Sequence, residues 1–109
     1  MKYKEKFLAN LETEISEFRE RTLSCSPKEI YEDCSRIHFY EFMSDYLVWE
    51  DFKPKEYKAF LQSDKNFIAN LWRRSMKWED FNIGSIADAS LLVDEYVADC
   101  EANPIPHCM

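Results

Sequence analysis

Glycine is nearly missing from this sequence: Gly84 is the single glycine among 109 residues. All-β folds need glycine for their many tight turns, and phosphate-binding loops need several glycines close together. Neither a GxGxxG nor a GxxxxGK[ST] pattern occurs in the chain. The shortage argues against an all-β fold and against a glycine-rich nucleotide-binding loop.

Long apolar runs are also missing. No stretch approaches the roughly 18–20 apolar residues that span a bilayer. Residues 2–6 are mostly charged and lead into an amphipathic pattern rather than into the apolar region of a signal peptide. We therefore expect a cytoplasmic protein with no membrane segment, whose cysteines are reduced thiols rather than a disulfide framework. These cysteines are Cys25, Cys34, Cys100 and Cys108.

Recognisable catalytic and metal-binding patterns are absent from the sequence. Cys34 and His38 are four residues apart on a predicted helix, so that both could face one metal ion, but zinc needs two further ligands. No CxxC or HExxH pattern supplies them. The favoured interpretation is a buried thiol at Cys34 and a helix-interior histidine at His38. We expect no enzymatic activity, no catalytic residue, no cofactor and no metal.

Helical periodicity is what the chain does contain. Apolar residues recur at steps of three and four over residues 3–22, which predicts a first amphipathic helix. The apolar stripe consists of Tyr3, Phe7, Leu8, Leu11, Ile15 and Phe18, and the charged residues, Glu14 among them, are assigned to the remaining surface.

A second helix is predicted to begin at Pro27. Ser26 suits the N-cap, Pro27 the first helical position, and Glu29 completes a capping box. Beyond residue 37 this helix is apolar on nearly every side, which is typical of a buried helix. We expect a central helix that bends near residues 38–41 and ends before Asp51.

Three further helices complete the predicted fold. One begins at Pro54, one is capped by Asp64 or Asn66, and the last is capped by Ser85 and ends at Asn103-Pro104. The pattern predicts an all-α, compact single-domain bundle of about five helices with a largely buried central helix. Residues 1–103 form the domain, and residues 104–109 form a loosely ordered tail.

Charge is strongly segregated along the chain, whose formal net charge is −7. Residues 78–109 contain seven acidic residues and no Lys or Arg. One interpretation is an acidic face that imitates nucleic-acid phosphates and binds a basic groove of a partner protein. The other is that the acidic last helix lies against the basic segment of the fold. The residues assigned to the acidic face are Asp88, Asp94, Glu95, Asp99 and Glu101.

Residues 53–77, by contrast, carry a net charge of +5. They suggest an alternative function, a nucleic-acid-binding accessory protein or a structural adaptor, although the acidic overall balance disfavours direct nucleic-acid binding. The residues of this alternative basic face are Lys65, Arg73, Arg74 and Lys77.

Several helix starts and core positions form a pattern that is spread over residues 10–97: Glu14, Phe18, the segment Ser26–Ile30, Ile37, Glu41, the segment Phe60–Ser63, Asn66, Phe67, Leu71 and Trp72. This pattern resembles a family of small helical proteins of unknown function from Firmicutes and their mobile elements. The chain departs from that pattern around residues 35–42, at Ser35, Tyr40 and Phe42. No catalytic residues are assigned in the family.

The mobile-element connection suggests an inhibitor of a host defence nuclease, by analogy with anti-CRISPR proteins. The sequence-based prediction is therefore a non-enzymatic protein-binding module that acts through its acidic surface. Its partner is expected to be a protein with a basic surface, such as a nuclease effector. The sequence does not indicate an oligomeric state.

Overall fold

Six α-helices build the chain in a computed structural model that describes residues 2–63 and 66–102, and side chains over residues 3–63 and 66–100. No strand occurs in these ranges, so the predicted all-α class is confirmed. The predicted cap Asp64 and the tail 104–109 lie outside the described residues. The helices are α1 (Lys2–Leu23), α2 (Pro27–Glu32), α3 (Cys34–Trp49), α4 (Pro54–Gln62), α5 (Phe67–Ser75) and α6 (Ile86–Ala102).

The second predicted helix is divided at Asp33, which is why there are six helices rather than about five. Asp33 has φ −101° and ψ 16°, away from helical values, although its N–H still donates to the carbonyls of Glu29 and Ile30. Helix α3 runs through residues 38–41 without interruption, and the bend expected there stays a prediction. The capping box is confirmed: the Glu29 N–H donates to Ser26 Oγ at 3.2 Å, and the Ser26 N–H donates to Glu29 Oε1 at 2.8 Å.

The centre of α3 is the most deeply buried part of the bundle. Phe39, Tyr40, Met43 and Leu47 are all fully enclosed, because α3 packs against α1, α2, α5 and α6. The predicted central helix is confirmed over this stretch. Its first turns are different, since Cys34 and His38 are exposed. The predicted burial of the Cys34 thiol is therefore wrong, and the neighbouring helix α2 contributes no buried residue. His38 does lie inside the helix, as predicted.

Aromatic rings fill the space between α1, α4 and α5. The Phe7 ring lies 5.0 Å from that of Phe60 and 5.2 Å from that of Phe67, and Phe67 in turn lies 5.3 Å from Tyr96 of α6. Tilted and edge-on pairs of this kind contribute about 0.5–1.5 kcal/mol each beyond the burial of their area. The sequence's aromatic residues thus join four helices through one continuous cluster.

A carboxylate also belongs to this interior. Glu14 of α1 is only 7% exposed, so its sequence assignment to the charged surface is wrong. Its Oε1 accepts the Ile68 N–H and its Oε2 accepts the Ala69 N–H, both at 2.9 Å. Asn66 stands at the N-cap of α5, but these two capping acceptors come from a different helix.

The hydrogen bonds between Glu14 and the start of α5 stabilise both the helix and the carboxylate. The first N–H groups of a helix have no acceptor within the helix, and a buried N–H without an acceptor costs about 1–3 kcal/mol. The positive end of the α5 dipole also favours a carboxylate. Glu14 therefore fixes the start of α5 against the middle of α1.

Replacing Glu14 should destabilise the fold. We expect Glu14→Ala to lower the free energy of unfolding by about 2 kcal/mol or more, because it leaves two N–H groups near the core without acceptors. Glu14→Gln should also destabilise, because its amide NH2 faces one of the same donors. Glu17→Ala, at an exposed position on the same helix, should stay within about 0.5 kcal/mol of the wild type. Urea unfolding monitored by circular dichroism measures all three, and equal stabilities of the Glu14 and Glu17 variants would contradict the capping role.

Candidate protein-interaction surface

Helix α6 carries most of the acidic residues singled out in the sequence, and its start is fixed by local hydrogen bonds. Ser85 is the predicted N-cap, and its Oγ accepts the Asp88 N–H at 3.2 Å. The Asp88 carboxylate accepts the Asn82 N–H at 2.9 Å. Gly84 precedes the cap with φ +103°, a conformation that glycine adopts without strain. Asp88 is half-buried and holds this turn in place, so its carboxylate is only partly available to a partner.

The outward side of α6 is partly apolar. Ala89, Leu92, Val93 and Tyr96 face the core, and about 100° of rotation per residue brings a different set of residues to the opposite side. Leu91 lies at the centre of that side and is 56% exposed. We call the exposed residues of this side the α6 ridge: Ala87, Leu91, Asp94, Glu95 and Ala98.

Asp94 and Glu95 lie at the two edges of this ridge, on different sides of Leu91. Glu95 and Asp99 are one turn apart on the flank beside α5, where both pair with Arg74. Asp94 is exposed on the other flank, where it lines a groove between α4 and α6 together with Lys55. Glu101 lies within α6, but its side chain is outside the described residues.

Arg74 connects α5 to α6. Its Nη1 lies 3.8 Å from Glu95 Oε1, its Nη2 donates to Asp99 Oδ2, and its guanidinium lies 5.9 Å from the centre of the Tyr96 ring. Beside it, Asn70 Nδ2 donates to the Tyr96 hydroxyl at 3.1 Å. Burial raises the pKa of the Tyr96 phenol above its usual value, so this hydroxyl stays protonated at neutral pH. At this point the acidic last helix does lie against the basic segment.

The predicted basic face is only partly available. Arg74 is held by α6, and Arg73 is exposed with its Nη1 donating to Asn70 Oδ1 at 2.5 Å. Lys77 is exposed beyond the end of α5. Lys65 lies outside the described residues. The structure thus leaves Arg73 and Lys77 as the exposed cations of this set within the described part of the chain.

Periodicity does not assign two apolar side chains of α6 to its buried or its exposed side. Ile86, an apolar residue at the first position of the helix, is 55% exposed. Leu91 carries no sequence signal that separates it from its buried neighbour Leu92. The only hint in the sequence is Ala87, a small residue one turn before Leu91 that lies on the same outward side of the helix.

Neither a metal centre nor a membrane span is found within the described residues. No three or more His, Cys, Asp or Glu side chains there are grouped so that they could hold a metal ion. None of the helices described is long and apolar enough to cross a bilayer.

Known proteins provide no direct guide to this surface. Comparisons with protein-family models, curated proteins and solved structures find no match to the chain. The resemblance to a Firmicutes family therefore stays a prediction, and the function has to be argued from the geometry of the chain.

Arg74→Ala should destabilise the protein by about 1 kcal/mol, because it removes two ion pairs and a cation–π contact from a side chain that is 27% exposed. Arg73→Ala, which removes the same charge from the neighbouring exposed position, should cost less than about 0.5 kcal/mol. Urea unfolding at low salt and in 1 M NaCl measures the difference, which should shrink at high salt because ions screen the pairs. Equal stabilities of the two variants at low salt would rule out the bridging role of Arg74.

Proposed function

We propose that the protein is a non-enzymatic protein-binding module that presents the α6 ridge to a partner with a basic surface. The observation that carries the proposal is the exposed Leu91 side chain, bordered one turn later by Asp94 and Glu95. An exposed apolar side chain framed by charges is the arrangement of a helix that binds in an apolar groove with a charged rim.

The shape of the ridge supports close approach by a partner. Ala87 and Ala98 lie on either side of Leu91 along the helix, so that Leu91 is the one large apolar side chain of the ridge. A single apolar anchor that enters a pocket, surrounded by polar contacts, is a common arrangement of binding energy at interfaces.

The charge distribution of the protein supports a partner whose surface is positively charged. No Lys or Arg occurs in residues 78–109, and Arg74 is already engaged by Glu95 and Asp99. No ion pair involves Asp94 among the described residues. A basic partner would therefore gain a contact at Asp94 without breaking an internal one, and the negative field would speed its association.

A narrower form of the proposal follows from the family resemblance. In it the partner is a defence nuclease of the host, and the acidic ridge occupies the groove in which that enzyme holds nucleic acid. This form predicts that nucleic acid and the protein compete for the same partner. Partner capture that nucleic acid does not affect would remove the narrower form and leave the wider one intact.

The test of the wider form is capture of a partner from a lysate of the source cells with three versions of the protein. Asp94→Lys should abolish capture of the basic partner that the wild type retains, because it reverses the charge beside Leu91. Glu12→Lys is the matched control, since it changes net charge equally at an exposed position on α1. Mass spectrometry identifies and quantifies the captured protein.

Capture of the partner must also depend on the salt concentration and on Leu91, the proposed apolar anchor. Capture should weaken as NaCl is raised, and Leu91→Ser should reduce it by about tenfold or more, as expected for an interface anchor. A partner that is retained equally by the wild type, Asp94→Lys and Leu91→Ser would show that the α6 ridge is not the binding surface.

Direct binding to nucleic acid is the alternative from the basic segment, and the geometry gives it less support because Arg74 is paired within the molecule. We expect no mobility shift of DNA or RNA at low salt with the wild-type protein. A shift that is lost in an Arg73→Ala/Lys77→Ala double variant would favour this alternative function instead.

A further inference from the structure

A cleft of about 570 Å³ lies between the first turns of α1 and the residues that lead into α4. Its volume is within the range of about 300–1,000 Å³ that is typical of small-molecule sites. None of the residues that line it belongs to the α6 ridge. It is lined by Tyr3, Lys4, Lys6, Asp51, Phe52, Pro54 and Tyr57.

One wall of the cleft is aromatic and held in place. The Phe52 ring packs edge-on against Tyr57 at 5.6 Å and against Phe60 at 5.0 Å. The Phe52 N–H also donates to the Tyr57 hydroxyl at 3.4 Å. Phe52 is only half-buried and Tyr57 is buried, so this wall belongs partly to the core and is formed before any ligand binds.

The facing wall comes from α1. Tyr3 is 42% exposed, whereas Phe7 and Leu11, which follow it on the apolar stripe of α1, are buried in the core. Together with Phe52 and Pro54 it bounds a space with flat apolar sides. Such a space favours a planar, apolar ligand body.

Positive charge lies at the rim of the cleft in a protein that is acidic overall. Lys4 Nζ lies 3.8 Å from Asp51 Oδ1, and Asp51 is almost fully exposed. Lys6 is exposed, and no ion pair involves it among the described residues. The lining therefore contains two cations and one anion, which leaves a net positive rim above aromatic walls.

We propose that this cleft binds a small aromatic carboxylate, with its ring between Tyr3 and Phe52 and its carboxylate beside Lys4 and Lys6. The aromatic walls account for the ring, and the net positive charge of the rim, where Lys4 pairs with Asp51 and Lys6 has no ion pair among the described residues, accounts for the anion. The site is separate from the α6 ridge, so that either proposal can fail without the other.

The test is titration of the 15N-labelled protein with 2-naphthoate, followed by amide chemical shifts. We expect saturable shifts that are largest in residues 3–6 and 51–57. The neutral analogue 2-naphthamide should bind about fivefold more weakly, which is the factor expected from losing an exposed charge–charge contact.

Variants test separately the contacts proposed for the carboxylate of the ligand and those proposed for its ring. Lys4→Gln/Lys6→Gln should weaken 2-naphthoate by about fivefold and leave 2-naphthamide unchanged. Tyr3→Ala should weaken both. Matched controls are Lys28→Gln/Lys77→Gln, which removes the same charge elsewhere, and Tyr31→Ala, which removes an exposed ring on α2.

These substitutions are at exposed or half-exposed positions, and the amide spectrum of each variant reports directly whether it is folded. Absence of saturable shifts up to the solubility limit of 2-naphthoate would overturn the proposal. Equal binding by the Lys4→Gln/Lys6→Gln variant and its charge control, or shifts centred away from the cleft, would do the same.

Discussion

The fold depends on a carboxylate that α1 contributes to the start of α5. Glu14 accepts two N–H groups that no residue of α5 can satisfy from within the helix, and it does so where little water can replace it. This contact fixes α5 along α1, and the ring cluster around Phe7 and Phe67 fixes their separation. Arg74 then joins α5 to α6 through Glu95 and Asp99. Glu14 thus contributes to the placement of α6 through α5, together with the direct packing of α6 against α3 and α4.

Periodicity and capping residues predicted the helices but not their tertiary contacts. Ser26, Pro27 and Glu29 act within three residues of each other, so their capping box is visible in the sequence. Glu14 and Ile68 are 54 residues apart, and a lone carboxylate on a helix has no pattern that marks it as buried. The break at Asp33 was not predicted either. It is a change in the backbone dihedral angles of a single aspartate, and aspartate also occurs inside helices, so the residue type does not mark a break.

Charge segregation in the sequence had two interpretations, and the acidic residues of α6 differ in whether they are paired inside the molecule. Glu95 and Asp99 satisfy Arg74 inside the molecule, which is the internal pairing expected if the acidic helix lies on the basic segment. Asp94 lies on the other flank beside the exposed Leu91. Net charge alone could not separate these residues, because the distinction depends on 100° of helix rotation between positions 94 and 95. The proposed partner-binding role therefore rests on a smaller surface than the sequence indicated.

Native-state hydrogen exchange of the Ile68 and Ala69 amides tests the central structural claim most directly. The first amides of a helix ordinarily exchange fast, because they have no acceptor within the helix. The role of Glu14 predicts that these two exchange as slowly as the core amides of α3, and that Glu14→Gln accelerates them while the core of α3 changes less. Fast exchange of both amides in the wild-type protein would contradict the account.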